Sequence, residues 1–232
     1  MAALKKVDAG PRNSKGVQVV PGVQPGGETG RGGWTAWITG NAPGKSAQYQ
    51  YGNSGMNGLS SDYKTFDFDR DVARFDDELG LKLNATNPDL RAFKDRGGKL
   101  ILYHGWSDPA LPPTGTIDYY QSVAAQLGQA GAQAFVRLYM VPGMQHCAGG
   151  PGPSYFSAIP TAQQDPKVSM FRALEQWAEK GVAPAEIVAT KFKTEGNPSS
   201  GVARTRPLCA YPQTAQYKGS GSTDEAANFV CK

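Results

Sequence analysis

Two short stretches of the chain carry the residues best suited to chemistry. In KLILYHGWSDPALPP (99–113), the apolar run Leu100, Ile101, Leu102, Tyr103 leads into a polar turn with His104 and Asp108. In FVRLYMVPGMQHCAGGPG (135–152), a second apolar run, Phe135 to Val141, ends in a Pro-Gly turn with His146 and Cys147. A carboxylate that accepts the Nδ1 proton of an imidazole fixes its tautomer and orients its ring. It also stabilises the imidazolium formed in acyl transfer. Taken singly, an acid before a proline is an ordinary turn residue and a loop histidine an ordinary hydrogen-bonding group. What pairs Asp108 with His146 is their equivalent place at the ends of two successive apolar runs. A metal reading of His104, Asp108 and His146, as two histidines and one carboxylate, is the weaker alternative.

Those places follow from the elements between them. Ile117, Tyr120, Val123, Ala124 and Leu127 recur at helical spacing, so the unit reads strand, loop, helix, strand, loop. Such a crossover is right-handed and makes its two strands parallel. Both loops then open at the carboxyl edge of the sheet, where open α/β folds place their chemistry. Further on, Val168, Phe171, Leu174, Trp177 and Ala178 predict an amphipathic helix closed by Gly181. A third strand, EIVATKF (186–192), follows by a second helical crossover, and the tail from Arg206 reads as irregular.

The stretch from Phe66 to Arg96 turns helical and acidic, with Val72, Phe75 and Leu79 on one face and Gly80 as a stop. Asn87-Pro88-Asp89 restarts a short helix with Leu90 and Phe93 inward. Asp67, Asp69, Asp71, Asp76 and Asp77 lack the glycine and closing glutamate of an EF-hand loop. They read instead as acids favoured at helix N-termini. Residues 1 to about 60 are rich in Gly, Pro, Ser, Asn and Gln, with Trp34, Trp37, Tyr49 and Tyr51 among them. Four large aromatics so close together favour a docked, loop-rich lid over a solvated tail.

Composition bounds the function classes. The chain has 232 residues, enough for a real core, with 29 Gly and 17 Pro that point to many turns. Its 24 Lys+Arg and 20 Asp+Glu are interspersed, so the net charge of +4 forms no basic stripe for nucleic acid. No run approaches a membrane span, and the first thirty residues hold no apolar core of a secretory leader. Three cysteines, Cys147, Cys209 and Cys231, leave one thiol over if two pair.

The strings GGKLILYHGWSDPALPP, VPGMQHCAGGPGP and RPLCAYPQTAQYKGSGSTDEAANFVC resemble the tannase/feruloyl esterase family, secreted serine esterases of α/β-hydrolase fold. The resemblance is strongest from Asn87 to Cys231 and rests most on His146-Cys147. It implies an α/β chain that is the C-terminal part of an α/β-hydrolase fold. Residues 1–90 would be the end of a lid domain, and 91–232 the C-terminal half of the catalytic domain. It implies Asp108 as triad acid and His146 as triad base, with His104 lining the pocket near the scissile ester. Cys209 and Cys231 would form a disulfide, and Cys147 would pair with a cysteine outside this chain. Trp34, Trp37 and Tyr51 would be lid aromatics able to stack on an acyl ring. The implied substrate is a small ester of an aromatic acid (galloyl, feruloyl or terephthaloyl), with no nucleic-acid or membrane partner. The implied compartment is the periplasm or the exterior.

The resemblance has a gap. The family nucleophile sits in a G-C-S-x-G-G turn well upstream of the lid, and no such turn and no G-x-S-x-G occurs here; the Asp-rich calcium loop of the family's lid also lies upstream, so no cofactor is expected in this chain. The serines of GNSGMNG (Ser54) and KGSGS (Ser220, Ser222) lack the strand and helix that a nucleophile elbow needs, and Ser107 has no reason to face His146. The expected partner is therefore the N-terminal half of the same fold. The alternative is a catalytically silent chain that acts at most as a binding or complementing module.

Overall fold

The computed structural model describes residues 2–42, 45–46 and 65–232. The order begins with α1 (Ala2–Ala9), an outer helix that buries none of its residues, and a π-helical turn at Thr35–Thr39. Next come α2 (Asp71–Phe75), α3 (Leu81–Leu83) and α4 (Arg91–Asp95), then β1 (Leu100–Gly105), α5 (Pro113–Leu127), α6 (Gln129–Gln133) and β2 (Val136–Val141). The chain closes with α7 (Met170–Lys180), β3 (Glu186–Phe192), β4 (Val202–Cys209), β5 (Ala215–Tyr217) and β6 (Phe229–Cys231).

The centre is the expected parallel pair. β1 and β2 run in register from Leu100 opposite Val136 to Gly105 opposite Val141, joined by α5, whose first residue Pro113 carries the φ a helix start wants. Because side chains alternate along a strand, the pair has two apolar faces. Leu100, Leu102, Val136 and Leu138 pack on Tyr120 and Val123 of α5, with Leu90 and Phe93 at the margin. Ile101, Tyr139 and Val141 pack on Met170 and Ala173 of α7 and on Ile187, Ala189 and Leu208. Parallel strands buried on both faces are the signature of an α/β layer. Trp177 of α7 is fully buried, with Arg137 at 5.0 Å and Lys99 at 5.7 Å over its ring.

Four details differ from the sequence expectation. β3 occupies the expected residues, but it pairs antiparallel with β4 and does not extend the parallel pair. The tail is not irregular: β4, β5 and β6 are ordered strands, and the expected Cys209–Cys231 disulfide ties the end of β4 to the end of β6. A 22-residue loop closed this way supplies roughly 3 kcal/mol. Gly80 does not end its helix; the backbone stays helical through Leu83 and leaves at Asn84, whose side chain donates to Asp76. Finally, α7 buries Met170, Ala173 and Trp177, while Ala178 is exposed. Ser169 caps its start by accepting from Arg172 N–H, and Gly181 ends it in the left-handed conformation, as expected.

The acids of 67–71 act as turn caps. Asp67 accepts from the N–H of Asp69 and Arg70, and Asp71 accepts from Asp67 N–H and pairs with Arg70. No helix among the described residues is long and apolar enough to cross a membrane.

Candidate functional site

Asp108 lies three residues past β1 and closes a turn on itself. Its Oδ1 accepts from the N–H of Ala110 at 2.7 Å and of Leu111 at 3.0 Å, while Pro109 between them has no N–H to offer. Its Oδ2 meets two imidazoles, His104 Nε2 at 3.1 Å and His146 Nδ1 at 3.0 Å. The carboxylate therefore has four donors and a side chain only 4% exposed. Burial pushes its pKa up; hydrogen bonds from His104, Leu111, His146 and Ala110 outweigh that and hold it down at about 2. Asp108 is thus an anion throughout the neutral range.

The two loops leave the sheet side by side because the strands beneath them are parallel and in register. The pairing continues past the strand ends: Trp106 N–H donates to the Val141 carbonyl, and Ser107 N–H to the Met144 carbonyl, each at 3.0 Å. Gly105 sits at that seam, where a Cβ would run into the backbone carbonyls of Met144 and Gln145. In the histidine loop, Gly152 N–H donates to Gly143 O and Gln145 N–H to Gly149 O, and Gly143 takes φ +74°. Cys147 itself sits at φ +61°, a conformation non-glycine residues seldom adopt.

A carboxylate can only accept, so the proton on neutral His146 lies on Nδ1 and its lone pair on Nε2. The ring is 27% exposed. Trp37 meets it edge to face, with ring centroids 4.6 Å apart. His104 is used differently. Its Nε2 faces two acceptors, Asp108 Oδ2 and the Leu111 carbonyl at 3.2 Å, and its Nδ1 lies 2.7 Å from Thr116 Oγ1. Both ring nitrogens of His104 are engaged within the protein. Both imidazoles address Oδ2 through N–H protons, which a metal at their centre would have to displace.

The glycine-rich N-terminal stretch docks on both loops. Gln145 Nε2 donates to the Thr29 carbonyl at 2.7 Å, and Gly27 lies against the Ser107 carbonyl, where a Cβ would clash. Trp34 has a buried Nε1 without a partner among the described residues. Tyr49, Tyr51 and Ser54 lie outside the described residues. A cavity of about 960 Å³ opens beside the acid loop, between α1, Val20–Val23, Ile38 and Ala110–Pro112; His146 and Trp37 are not in its lining. No serine hydroxyl among the described residues hydrogen-bonds His146. Ser107 is buried, and Ser222 Oγ accepts from Asp224 N–H in an exposed turn. Cys147 is a free, exposed thiol.

The structure thus brings together Asp108, His146, His104 and Trp37. Thr116 and Gln145 were not singled out from the sequence. Thr116 carries no signal beyond its place in the first turn of α5, and Gln145 only its place next to His146.

This arrangement has relatives. The sequence matches the family described as tannase and feruloyl esterase over residues 1–232. It is 40% identical over 266 aligned positions to an uncharacterized esterase of Xanthomonas campestris, covering 100% of this chain and 45% of that protein. It is 38% identical over 266 positions to a mono(2-hydroxyethyl) terephthalate hydrolase of Piscinibacter sakaiensis, covering 100% of this chain and 41% of the relative. Among solved structures, an esterase from Aspergillus oryzae superposes with a TM-score of 0.84 at 26% identity, over 100% of this chain and 45% of that one. The chain spans less than half the length of these proteins. On the match over its whole length, it belongs to the tannase and feruloyl esterase family.

Proposed function

We propose that this chain supplies the acid and base of a serine esterase that cleaves small esters of aromatic acids. The observation that carries the reading is the His146 Nδ1 to Asp108 Oδ2 hydrogen bond at 3.0 Å, on a carboxylate kept ionised. His146 Nε2 takes the proton of a serine hydroxyl as its oxygen bonds to the ester carbonyl carbon. The imidazolium, held by Asp108, returns that proton to the departing alkoxide, and water then releases the acid by the same steps. Trp37 beside the His146 ring supplies an aromatic wall for a feruloyl, galloyl or terephthaloyl group. The likeness to the terephthalate-monoester hydrolase supports that substrate class.

The serine is assigned to an N-terminal half of the same fold, to which Cys147 would be tied by a disulfide. Two features support this partner. β1 pairs with β2 on one side only among the described residues, although parallel sheets are ordinarily covered at both edges and faces. And Tyr103, on β1, is 36% exposed. The Cys209–Cys231 disulfide fits a secreted or periplasmic protein. Residues 1–90 act in this reading as the end of the lid domain.

A second reading rests on the absence of a serine hydroxyl at His146 among the described residues: the chain alone is silent and acts as a complementing module. Hydrolysis of a feruloyl or terephthaloyl ester by the purified chain, beside His146→Ala and Asp108→Asn variants and a fluorophosphonate label, tests both. Turnover that falls in both variants, with one labelled serine, supports the acid and base assignment but overturns the placing of the serine outside this chain. Turnover that survives in both overturns the acid and base assignment. No turnover and no label show that the chain alone is silent and confine the activity to a form that includes the N-terminal half.

A further inference from the structure

We propose that His104 is a positioning residue, a neutral hydrogen-bond donor that, with Thr116, holds Asp108 Oδ2 in place for His146. The inference rests on the acid and base reading above, and it departs from a pocket-lining role for this ring.

What each nitrogen of His104 faces fixes where its proton lies. Nε2 lies within hydrogen-bond distance of two groups that only accept, Asp108 Oδ2 and the Leu111 carbonyl, so the proton must sit on Nε2. Nδ1 lies 2.7 Å from Thr116 Oγ1, and a hydroxyl can donate to its lone pair. That bond occupies the electron pair a second proton would need. The ring is 12% exposed, so water competes little for either nitrogen. Neutrality matters. A cation at 3.1 Å would offset the field with which Asp108 stabilises a nascent imidazolium at His146, whereas a neutral N–H fixes the oxygen and leaves the charge.

Position matters as well. The two backbone amides of Ala110 and Leu111 fix Oδ1 but leave the carboxylate free to tilt about it. His104 approaches Oδ2 from β1 and His146 from the loop after β2, and His104 is anchored by the strand register and to the first turn of α5. Oδ2 is thus set by rigid elements before His146 binds it, the supporting shell a precise acid needs. Leu111 completes the circuit: its N–H binds Oδ1 and its carbonyl binds His104.

The chain has only two histidines, so 15N-histidine labelling resolves both rings without ambiguity. At neutral pH the proposal expects His104 wholly as the Nε2–H tautomer and His146 wholly as Nδ1–H. In a His104→Phe variant, which keeps a ring without a donor, His146 becomes a mixture of both tautomers. The Asp108 carboxyl, followed by 13C shift, then titrates above its native midpoint. His104→Gln, which restores an amide donor, recovers at least half of both changes. A folded His104→Phe protein with His146 still wholly Nδ1–H and Asp108 unmoved overturns the proposal. So does wild-type His104 found as Nδ1–H or doubly protonated at neutral pH, a result that needs no variant. A wild-type His146 that is not Nδ1–H defeats the acid and base reading itself, and is told apart by its own signal.

Discussion

The two loops that meet at Asp108 Oδ2 are built in opposite ways. The acid loop organises itself: three of the four donors to Asp108 come from His104, Ala110 and Leu111, all within four residues of it. The histidine loop is held from a distance. Gln145 reaches Thr29, 116 positions away; His146 reaches Asp108, 38 positions away; Trp37 lies against its ring. An anion solvated by its own turn needs little from the rest of the fold. An imidazole that must keep one nitrogen open cannot be wrapped by its own loop, so its orientation has to come from other segments.

That contrast is open to test from the strongest perturbation to the weakest. Asp108→Asn removes the common anchor and puts an amide donor or a neutral oxygen against His146. On the proposed acid and base reading, a form that includes the serine should lose about 10⁴-fold in kcat through the wrong tautomer. His146 should no longer be wholly Nδ1–H by 15N shift, while the turn at Ala110 and Leu111 keeps its amide protection.

Gly105→Ala acts where the loops are stitched together, pressing a methyl against the carbonyls of Met144 and Gln145. It should cost about 3 kcal/mol in urea unfolding, and amide exchange should quicken in both loops at once. If only the histidine loop responds, the seam is less shared than the hydrogen bonds at Trp106 and Ser107 imply.

Acid probes the self-contained loop. The Asp108 carboxyl is depressed from 3.8 to about 2, so its contribution is complete above pH 3.8 and is lost as the pH falls towards 2. The shift corresponds to a contribution on the order of 2 kcal/mol. Unfolding free energy measured from pH 5 to pH 2 should drop by at least this amount, since Asp67, Asp71 and Asp89 are also held below the usual range, and Asp108→Asn should make the drop smaller by Asp108's share.

Gln145→Ala is the gentlest. It removes the tie to Thr29 and should cost about 1 kcal/mol. Its exchange signature sharpens the comparison: faster at 143–149 and 26–33, unchanged at Ala110 and Leu111.

How much of this was legible beforehand differs from element to element. The β1–α5–β2 unit was readable because burial on both sides of a parallel pair demands unbroken apolar runs, and the helix between them must show one apolar stripe. β4 to β6 were not readable, because VARTRPLC, AQY and FVC show no sustained apolar–polar alternation, and the Cys209–Cys231 disulfide and the Arg204–Asp224 pair help to hold them. α7 was placed correctly, but its buried face was misjudged by part of a turn, since periodicity alone cannot say which flank of a stripe meets the core. In the site, Asp108 and His146 stood out through residue type and place. Thr116 and Gln145 did not, because a threonine in a helix start and a glutamine in a loop have many ordinary uses.

The sequence by itself therefore determined the parallel pair, the loops at its carboxyl edge, the acid and histidine they carry, and, by resemblance, the family. Only the tertiary structure decided that Asp108 takes two imidazoles on one oxygen, that both nitrogens of His104 are spent on Thr116, Leu111 and Asp108, and that Thr29 and Trp37 pack on the histidine loop. The reason is physical. Periodicity and composition report on burial, which is local in the chain, whereas a hydrogen-bond circuit depends on angles and separations of an ångström between residues that only folding brings together.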